Sequence, residues 1–240
     1  MTHLTGKERG KYVQDMFTRI AHRYDLMNRL MTAGQDVHWR EQVIRQAKLK
    51  SDARILDLGA GTGDLAREAR KQQPDVKVFA ADFTLEMMRV GQNQTPAQGL
   101  NGNMPWSAAD ALNLPFEEKT FDAVVSGFLM RNVGDIQQAL KEQYRTLKPG
   151  GRIVILDTTK PKRNLLSPFI WLHMHVIIPF VGGLLSGFKD AYNYLPDSTE
   201  EFVTAKELTV RMAAVGFKRI NFEILMFGTI AIHWGEKSPS

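Results

Sequence analysis

Apolar side chains near the start of the chain recur at steps of three and four residues, which is the spacing of one helical face. This stripe runs from Tyr12 to Met31. Gly34 follows the stripe and is typical of a helix end, and a second helix is predicted over residues 37–47. Residues 1–50 are therefore expected to form a cap of helices.

Beyond residue 50 the pattern changes to short, continuous apolar runs that end in glycine or in an acid. Such runs indicate strands buried on both faces, and their alternation with helices predicts a mostly parallel sheet. Pro96 and the Gly and Asn residues near it predict a loop over residues 92–103, and residues 148–151 are expected to close a helix. The predicted strands cover residues 54–58, 77–82, 121–126, 152–157, 218–225 and 228–234, with one more before Asp110. The predicted helices cover residues 64–71, 136–147 and 205–215, with another that begins at Thr84.

Residues 165–188 carry no Asp, Glu, Lys or Arg. The stretch is long enough to span a bilayer, but Pro168, Pro179 and a pair of glycines would break such a helix into short pieces. We therefore expect either a buried, kinked helical insertion or an apolar lid over a hydrophobic ligand, rather than a transmembrane helix.

The chain has 240 residues, no cysteine and a formal charge of +5. The lack of cysteine excludes a disulfide scaffold, Cys-ligated metal sites and a thiol nucleophile. The positive charge suits nucleic acid, an anionic membrane or an anionic ligand, but no compact basic run with interleaved aromatic residues supports nucleic acid. His173 and His175 lack a third ligand at matching spacing, so no metal site is predicted. The polar first residues lack an apolar signal segment, which predicts a cytoplasmic protein.

A glycine-rich motif lies at the predicted turn between the first strand and its helix. Glycines permit positive φ and close approach of a ligand, and a helix start offers free N–H groups. A dinucleotide fingerprint would need glycine at Asp64, and no Gly-Lys-Ser/Thr follows for a phosphate loop. The motif instead suits a ligand without phosphates that carries a positive centre, which Asp57 can balance. The motif residues are Asp57, Gly59, Gly61, Thr62 and Gly63.

Two further acids follow the next predicted strands. Asp82 ends the second strand, where a carboxylate can take both ribose hydroxyls. Asp110, with Ala111, follows the third strand and is placed to meet an adenine edge. An acid at a strand end is as often only a helix cap, but three acids in series with the glycine turn match class I S-adenosylmethionine-dependent methyltransferases.

The resemblance narrows to one family at residues 24–32, which read YDLMNRLMT and are followed by Trp39 and Arg40. They resemble the N-terminal signature of the ubiquinone/menaquinone biosynthesis methyltransferases. Residues 131–135, RNVGD, resemble the arginine–asparagine motif after the family's fourth strand. Further similar blocks, at residues 144–151, 192–195, 216–217 and 228–233, extend the resemblance over nearly the whole chain. The departures are Thr32, Asp36 and Asp157, which stand where the family usually has Ser, His and Glu.

The resemblance implies a Rossmann-like class I α/β fold, with a mostly parallel seven-stranded sheet flanked by helices. S-adenosyl-L-methionine is the implied cofactor, and the family's cofactor-contacting Ser falls on Gly127, next to Ser126. The candidate cofactor-binding residues are Asp57, Gly59, Gly61, Thr62, Gly63, Asp82, Phe83, Asp110, Ala111, Ser126 and Gly127. The predicted single domain, 1–240, consists of the helical cap (1–50), a cofactor-binding core (51–160), the apolar helical insertion or lid (161–204) and a C-terminal helix with two strands (205–240).

The implied reaction is C-methylation of a polyprenyl quinol ring, with demethylmenaquinol converted to menaquinol as the favoured case. Arg131 is expected to stabilise a developing oxyanion, Asn132 to orient it and Asp135 to accept a proton through a water. Tyr24, with Asp25, is expected to bound the pocket. Arg131 could instead only anchor a loop carboxylate, and Tyr24 could be a core residue.

Several alternatives stay open at this point. A ubiquinone-pathway benzoquinol or another small lipid could be the substrate, and a non-catalytic binding module could share the fold. The expected partners are the polyprenyl quinol and an anionic membrane surface, at the inner face of the cell membrane, with a homodimer left open. Residues 165–188 would then form a lid or channel for the prenyl tail, and the positive charge would help hold the protein against anionic lipid.

Overall fold

The computed structural model describes residues 6–97, 104–160 and 198–239, together with Pro168, Leu172, His175, Val176 and Tyr194. The insertion predicted over residues 161–204 lies mostly outside these described residues. Within them, we find no helix with the length and apolar character needed to cross a membrane.

The N-terminal cap consists of three helices. They are α1 (Gly6–Ile20), α2 (Tyr24–Met31) and α3 (Gln35–Ala47), and a 3-10 turn over Ala21–Arg23 joins the first two. The predicted apolar stripe packs together, because Met16, Ile20 and Met27 form one buried cluster. Gly34 takes a positive φ of 78° and directly precedes α3, so it separates α2 from α3 as the sequence predicted.

A seven-stranded sheet forms the centre of the molecule. The strands are β1 (Arg54–Leu58), β2 (Lys77–Asp82), β3 (Trp106–Ala108), β4 (Phe121–Gly127), β5 (Leu147–Thr158), β6 (Lys218–Leu225) and β7 (Ile230–Glu236). Their order is β3-β2-β1-β4-β5-β7-β6. The first five strands are parallel, and β7 runs antiparallel to both β5 and β6. The predicted mostly parallel sheet is confirmed.

Helices cover both faces of the sheet. The remaining ones are α4 (Asp64–Gln72), α5 (Leu85–Ala97), α6 (Ile136–Thr146) and α7 (Ala205–Val215). One buried cluster joins α3 and α4 to the sheet around Val43 and Val125. A second cluster joins α6 and α7 to the opposite face around Leu140 and Leu208. Alternation of buried strands with amphipathic helices therefore produces the three layers that the sequence indicated.

Two local predictions are wrong. Residues 92–97 of the predicted loop are instead the last part of α5, which packs against the cap, and Gln94 Nε2 donates to Asp25 Oδ2 at 3.2 Å. Residues 98–103 of that prediction lie outside the described residues. Residues 148–151 do not close α6 but begin β5, because Gly150 N–H donates to Lys237 O at 2.9 Å. In both places contacts with distant residues override the local preference of proline and glycine.

Candidate active site

A cavity of about 850 Å³ lies at the carboxyl edge of the parallel strands. Residues that follow β1, β2 and β4 form its floor, and α1 and the start of α2 contribute the opposite wall. Its size is within the range of roughly 300–1,000 Å³ that is typical of small-molecule sites. Ligands of open α/β sheets bind at this edge, so the cavity is the candidate active site.

The glycine-rich turn brings backbone directly to the cavity. Gly59 and Gly61 line it with φ of 68° and 58°. A Cβ at Gly59 would lie 2.9 Å from Leu129 Cδ1, and one at Gly61 would lie 3.2 Å from Met87 Cε. Side chains at these two positions would therefore be strained and would occupy space beside the cavity.

Asp82 fixes this turn from the neighbouring strand. Its Oδ2 accepts from Gly61 N–H and its Oδ1 accepts from Thr84 N–H, both at 2.7 Å. Burial raises the pKa of the Asp82 carboxyl, which also lines the cavity. Asp82 therefore holds the loop and also presents its carboxylate to the cavity, where ribose hydroxyls could donate to it.

Asp57 is the buried acid at the end of β1. Its Oδ2 accepts from Ala66 N–H at 2.9 Å, whereas its Oδ1 has no hydrogen-bond partner within the described part of the chain. Burial, followed by the nearby charge of Asp82, raises its pKa to about 7. Asp57 is not among the residues that line the cavity, although its neighbours Leu58 and Gly59 are. A cationic group held at the loop would favour ionisation of this carboxyl.

The predicted cofactor-binding residues divide into two sets. Some of them face away from the cavity. Thr62 donates through Oγ1 to Asp25 Oδ1 at 2.6 Å, and Ser126 is fully buried. Gly63 faces the Trp106 ring. The structure brings to the cavity wall Gly59, Gly61, Asp82, Phe83, Asp110, Ala111 and Gly127, and places outside it Asp57, Thr62, Gly63 and Ser126.

Ion pairs fasten the helical cap to the glycine turn. The fully buried Asp36 pairs with Arg29 and Arg40. Arg40 Nε also lies 3.3 Å from Oδ2 of Asp64, the first residue of α4. Burial alone would raise the pKa of Asp64, but the guanidinium groups of Arg40, then Arg67 and Arg29, lower it below its ordinary value. The cap and the turn are therefore held as one unit.

Of the predicted catalytic residues, Tyr24, Asn132 and Asp135 line the cavity, whereas Arg131 does not. Arg131 is only 8% exposed, and its Nη1 lies 2.6 Å from Oδ1 of Asp157. Arg131 N–H also donates to Asp157 Oδ2 at 3.2 Å. The structure thus has Arg131 paired with a carboxylate, which agrees with the alternative that Arg131 only anchors such a group. The alternative expected a carboxylate in a loop, however, and Asp157 lies in β5.

Hydrogen bonds hold two of these three cavity residues, Asn132 and Asp135. Asn132 donates through Nδ2 to Phe128 O at 2.9 Å and accepts from the Tyr194 hydroxyl at 3.0 Å. Asp135 Oδ1 accepts from Gln138 N–H at 3.0 Å and so caps α6. Desolvation raises the pKa of the Tyr24 phenol, which stays protonated at neutral pH.

Sequence reasoning missed the wall formed by α1. Val13, Gln14 and Phe17 line the cavity, and Gln14 Nε2 donates to Phe83 O at 2.9 Å. The helical stripe already contained Val13 and Phe17. Periodicity reveals only that they share an apolar face, and it carries no signal that this face bounds a cavity.

The sequence predicted no metal site at His173 and His175. His173 lies outside the described residues, and His175 Nε2 is 3.0 Å from Glu200 Oε1. Among the residues described, no cluster of three or more His, Asp or Glu side chains is arranged to hold a metal ion.

Comparisons with known proteins give the family. The model of the ubiE/COQ5 methyltransferase family matches residues 4–237. A ubiquinone/menaquinone biosynthesis C-methyltransferase UbiE of Desulfotalea psychrophila is 42% identical over 229 residues, covering 95% of this chain and 92% of the relative. A demethylmenaquinone methyltransferase of Thermus thermophilus is 42% identical over 222 residues, covering 92% of this chain and 100% of the relative.

Solved structures share the fold at low identity. The [4+2]-cyclase SpnF has a TM-score of 0.73 and 16% identity, with 96% of this chain and 97% of the other covered. A SAM dependent methyltransferase from Aquifex aeolicus has a TM-score of 0.59 and 20% identity, with 82% and 88% covered. These likenesses establish a class I methyltransferase architecture.

Proposed function

The chain belongs to the ubiE/COQ5 methyltransferase family, and on that premise we propose that it transfers a methyl group from S-adenosyl-L-methionine to a ring carbon of a polyprenyl quinol. Demethylmenaquinol is the substrate that we favour, with menaquinol as the product. The names of the similar proteins support this choice, because they include demethylmenaquinone methyltransferases. A ubiquinone-pathway benzoquinol is the second candidate, supported by the names of other relatives.

The observation that carries the proposal is one cavity that is lined both by residues predicted to bind the cofactor and by residues predicted to contact the quinol. Gly59, Gly61 and Asp82 line one side of it, and Tyr24 and Asn132 line it as well. The residues fit the cofactor. Asp82 presents a carboxylate to the cavity that can accept from ribose hydroxyls, and the unpartnered buried oxygen of Asp57 suits a ligand that carries a positive charge.

The chemistry requires orientation and charge control more than covalent catalysis. The cofactor supplies a methyl carbon made electrophilic by its bond to a positively charged sulfur. The quinol ring carbon becomes nucleophilic when the neighbouring hydroxyl loses its proton, and Asp135 accepts that proton directly or through a water molecule. The ring carbon would take the methyl group as the methyl–sulfur bond breaks, with S-adenosylhomocysteine as the leaving group. The ring C–H proton would then pass to water to restore the aromatic ring, and Asp135 would return its proton to the ring oxygen.

Tyr24 and Asn132 would stabilise the phenolate in this step. The protonated Tyr24 hydroxyl can donate a hydrogen bond to the developing oxyanion. The Asn132 amide is held by Phe128 O and the Tyr194 hydroxyl, which limits the orientations that it can present. Arg131, paired with Asp157, is assigned a positioning role, because it carries Asn132 as its chain neighbour and does not itself line the cavity.

The proposed location of the protein in the cell follows from the nature of the substrate. A polyprenyl tail partitions into lipid, so the protein is expected in the cytoplasm, bound peripherally to the inner face of the cell membrane. Residues 165–188 were predicted to cover that tail, and they lie almost wholly outside the described residues. A homodimer stays a prediction.

The test uses the purified chain, methyl-labelled S-adenosyl-L-methionine and a reduced short-chain demethylmenaquinol, with a demethyl benzoquinol in parallel. We expect label in the naphthoquinol ring and a strong loss in Asn132→Ala. Transfer only to the benzoquinol would select the second candidate. Transfer only to a soluble phenol or a sterol would overturn the quinone assignment. Binding of S-adenosylhomocysteine without any transfer would support a non-catalytic module.

A further inference from the structure

Exposed aliphatic and aromatic side chains concentrate around the edge of the sheet where the cavity lies. On the cap, Leu26 is 60% exposed and Leu30 is 48% exposed, one helical turn apart on α2. Val37 at the start of α3 and Phe227 in the turn between β6 and β7 are also exposed. We call these four residues the edge face.

Contacts place the two cap helices at this edge. Thr62, just after β1, donates to Asp25 of α2 at 2.6 Å. At the opposite end of α3, Gln46 O accepts from Arg152 Nε at 2.9 Å. Arg152 pairs with Ala123 in the amino-terminal half of β4, at the end of the pairing away from the cavity. Helix α3 therefore runs from the carboxyl edge to the amino edge, and Val37 lies at its carboxyl-edge end.

The strand register places Phe227 at the same edge. Ile230 of β7 pairs with Thr158, the last residue of β5. Thr159 N–H then donates to Thr229 O at 2.8 Å. The turn that contains Phe227 thus lies beyond the carboxyl end of β5, alongside the edge that carries the cavity.

The charges on residues 19–40 of the cap complement an anionic surface, whereas the exposed acids Glu8 and Asp15 lie before this stretch, on α1. Between Arg19 and Arg40 the chain has only two acids, Asp25 and Asp36. Asp36 is fully buried among arginines, and Asp25 accepts from Thr62 and Gln94. Arg19 and Arg23 are exposed on the same stretch. Aliphatic groups next to cations, without an exposed carboxylate, are the pattern of a surface that docks on anionic lipid.

From this arrangement we propose that the edge face docks on an anionic lipid bilayer, with Leu26 and Leu30 inserted among the acyl chains. The proposal rests on the quinol methyltransferase function, because that function needs a lipid-borne substrate. Tyr24 lines the cavity while Leu26 and Leu30 point to solvent from the same helix. Helix α2 thus lies between the bilayer and the cavity. The prenyl tail of a bound quinol would therefore cross only the width of this one helix to reach the bilayer.

The test is co-sedimentation of the full chain with vesicles of phosphatidylcholine, with and without phosphatidylglycerol. We expect binding to the anionic vesicles that weakens with salt, and a loss of roughly tenfold or more in Leu26→Ser/Leu30→Ser. Val210→Ser is the matched control, because Val210 is 67% exposed on α7, and it should bind as the unmodified chain does. Unchanged affinity for S-adenosylhomocysteine checks that the double variant is folded.

Activity separates this proposal from the function on which it rests. The double variant should methylate a water-soluble short-chain quinol normally and lose activity on a long-chain quinol in vesicles. If the unmodified chain methylates no quinol, the proposed function fails, whatever the vesicle result. If it methylates the soluble quinol but the double variant binds vesicles unchanged, the docking proposal is wrong. Dissociation of a dimer in the variant, with unchanged vesicle binding, would assign the edge face to a second copy of the chain and also overturn it.

Discussion

The pair between Arg131 and Asp157 allows the role of Arg131 to be tested by a double-mutant cycle. The two side chains are 8% and 1% exposed, and they meet at 2.6 Å. Removing one partner of a buried pair leaves the other charge uncompensated and costs about 3–5 kcal/mol. We therefore expect Arg131→Met and Asp157→Asn each to lower the free energy of unfolding by about that amount. Asn keeps one of the two oxygens with which Asp157 accepts from the N–H groups of Arg131 and Thr158.

The double variant removes both charges and should cost clearly less than the sum of the singles, with a coupling of about 2 kcal/mol or more. Urea unfolding followed by tryptophan fluorescence measures all four free energies. For a chain of this size, each single should lower Tm by roughly 6–20 °C. Additive costs would refute the conclusion that the two residues stabilise the fold as a pair.

Kinetics then separate positioning from direct catalysis. If Arg131 acts by holding the loop that carries Asn132, Arg131→Met and Asp157→Asn should lower kcat by similar factors while the Kd of S-adenosylhomocysteine changes little. A large loss of kcat in Arg131→Met with normal kcat in Asp157→Asn would contradict the positioning role. That result would assign Arg131 to the substrate itself.

Three further predictions concern the cofactor side and the amide. Asp82→Ala should raise the Kd of S-adenosylhomocysteine at least tenfold by calorimetry, because the variant loses the ribose acceptor and the bond to Gly61 N–H; an unchanged Kd would exclude the ribose role. Asp57 has a pKa of about 7 without ligand, so only about a tenth of it is ionised at pH 6. A ligand with an ammonium group favours the ionised form, so affinity should rise about tenfold from pH 6 to pH 8. Asp57→Asn, or methylthioadenosine in place of S-adenosylhomocysteine, should remove that rise. Tyr194→Phe should lower kcat severalfold with little change in cofactor affinity, because it removes the hydroxyl that bonds to Asn132; normal kcat would show that the amide needs no such support.

The sheet and the cofactor edge were predictable because their signals are local. A strand buried on both faces must be a continuous apolar run, and the turn after it needs glycine wherever φ is positive. Gly59, Gly61 and Asp82 could therefore be placed at one edge before any coordinates were known.

The partners of the site residues could not be predicted, because they join positions far apart in sequence. Arg131 and Asp157 are adjacent only because β4 pairs with β5. Asp25 meets Thr62 only because the cap folds back over the turn. Periodicity shows which residues share a face and leaves open what that face contacts. The error over residues 92–97 has the same origin, since contact with the cap keeps Gln94 helical.

The departures from the family pattern now have a structural interpretation. Thr32 and Asp36 contact each other, with Thr32 Oγ1 donating to Asp36 Oδ1 at 3.0 Å. The carboxylate at position 36 pairs with arginines of the cap, and Asp157 pairs with Arg131. None of these three residues is among those that line the cavity. These departures change the hydrogen bonds and ion pairs that hold the cap and the loop of Asn132. The cavity wall, in contrast, carries Tyr24 and Asn132, which match the family's motifs. Divergence of this kind changes the scaffold and leaves the chemistry in place, which favours the family's reaction over a new substrate.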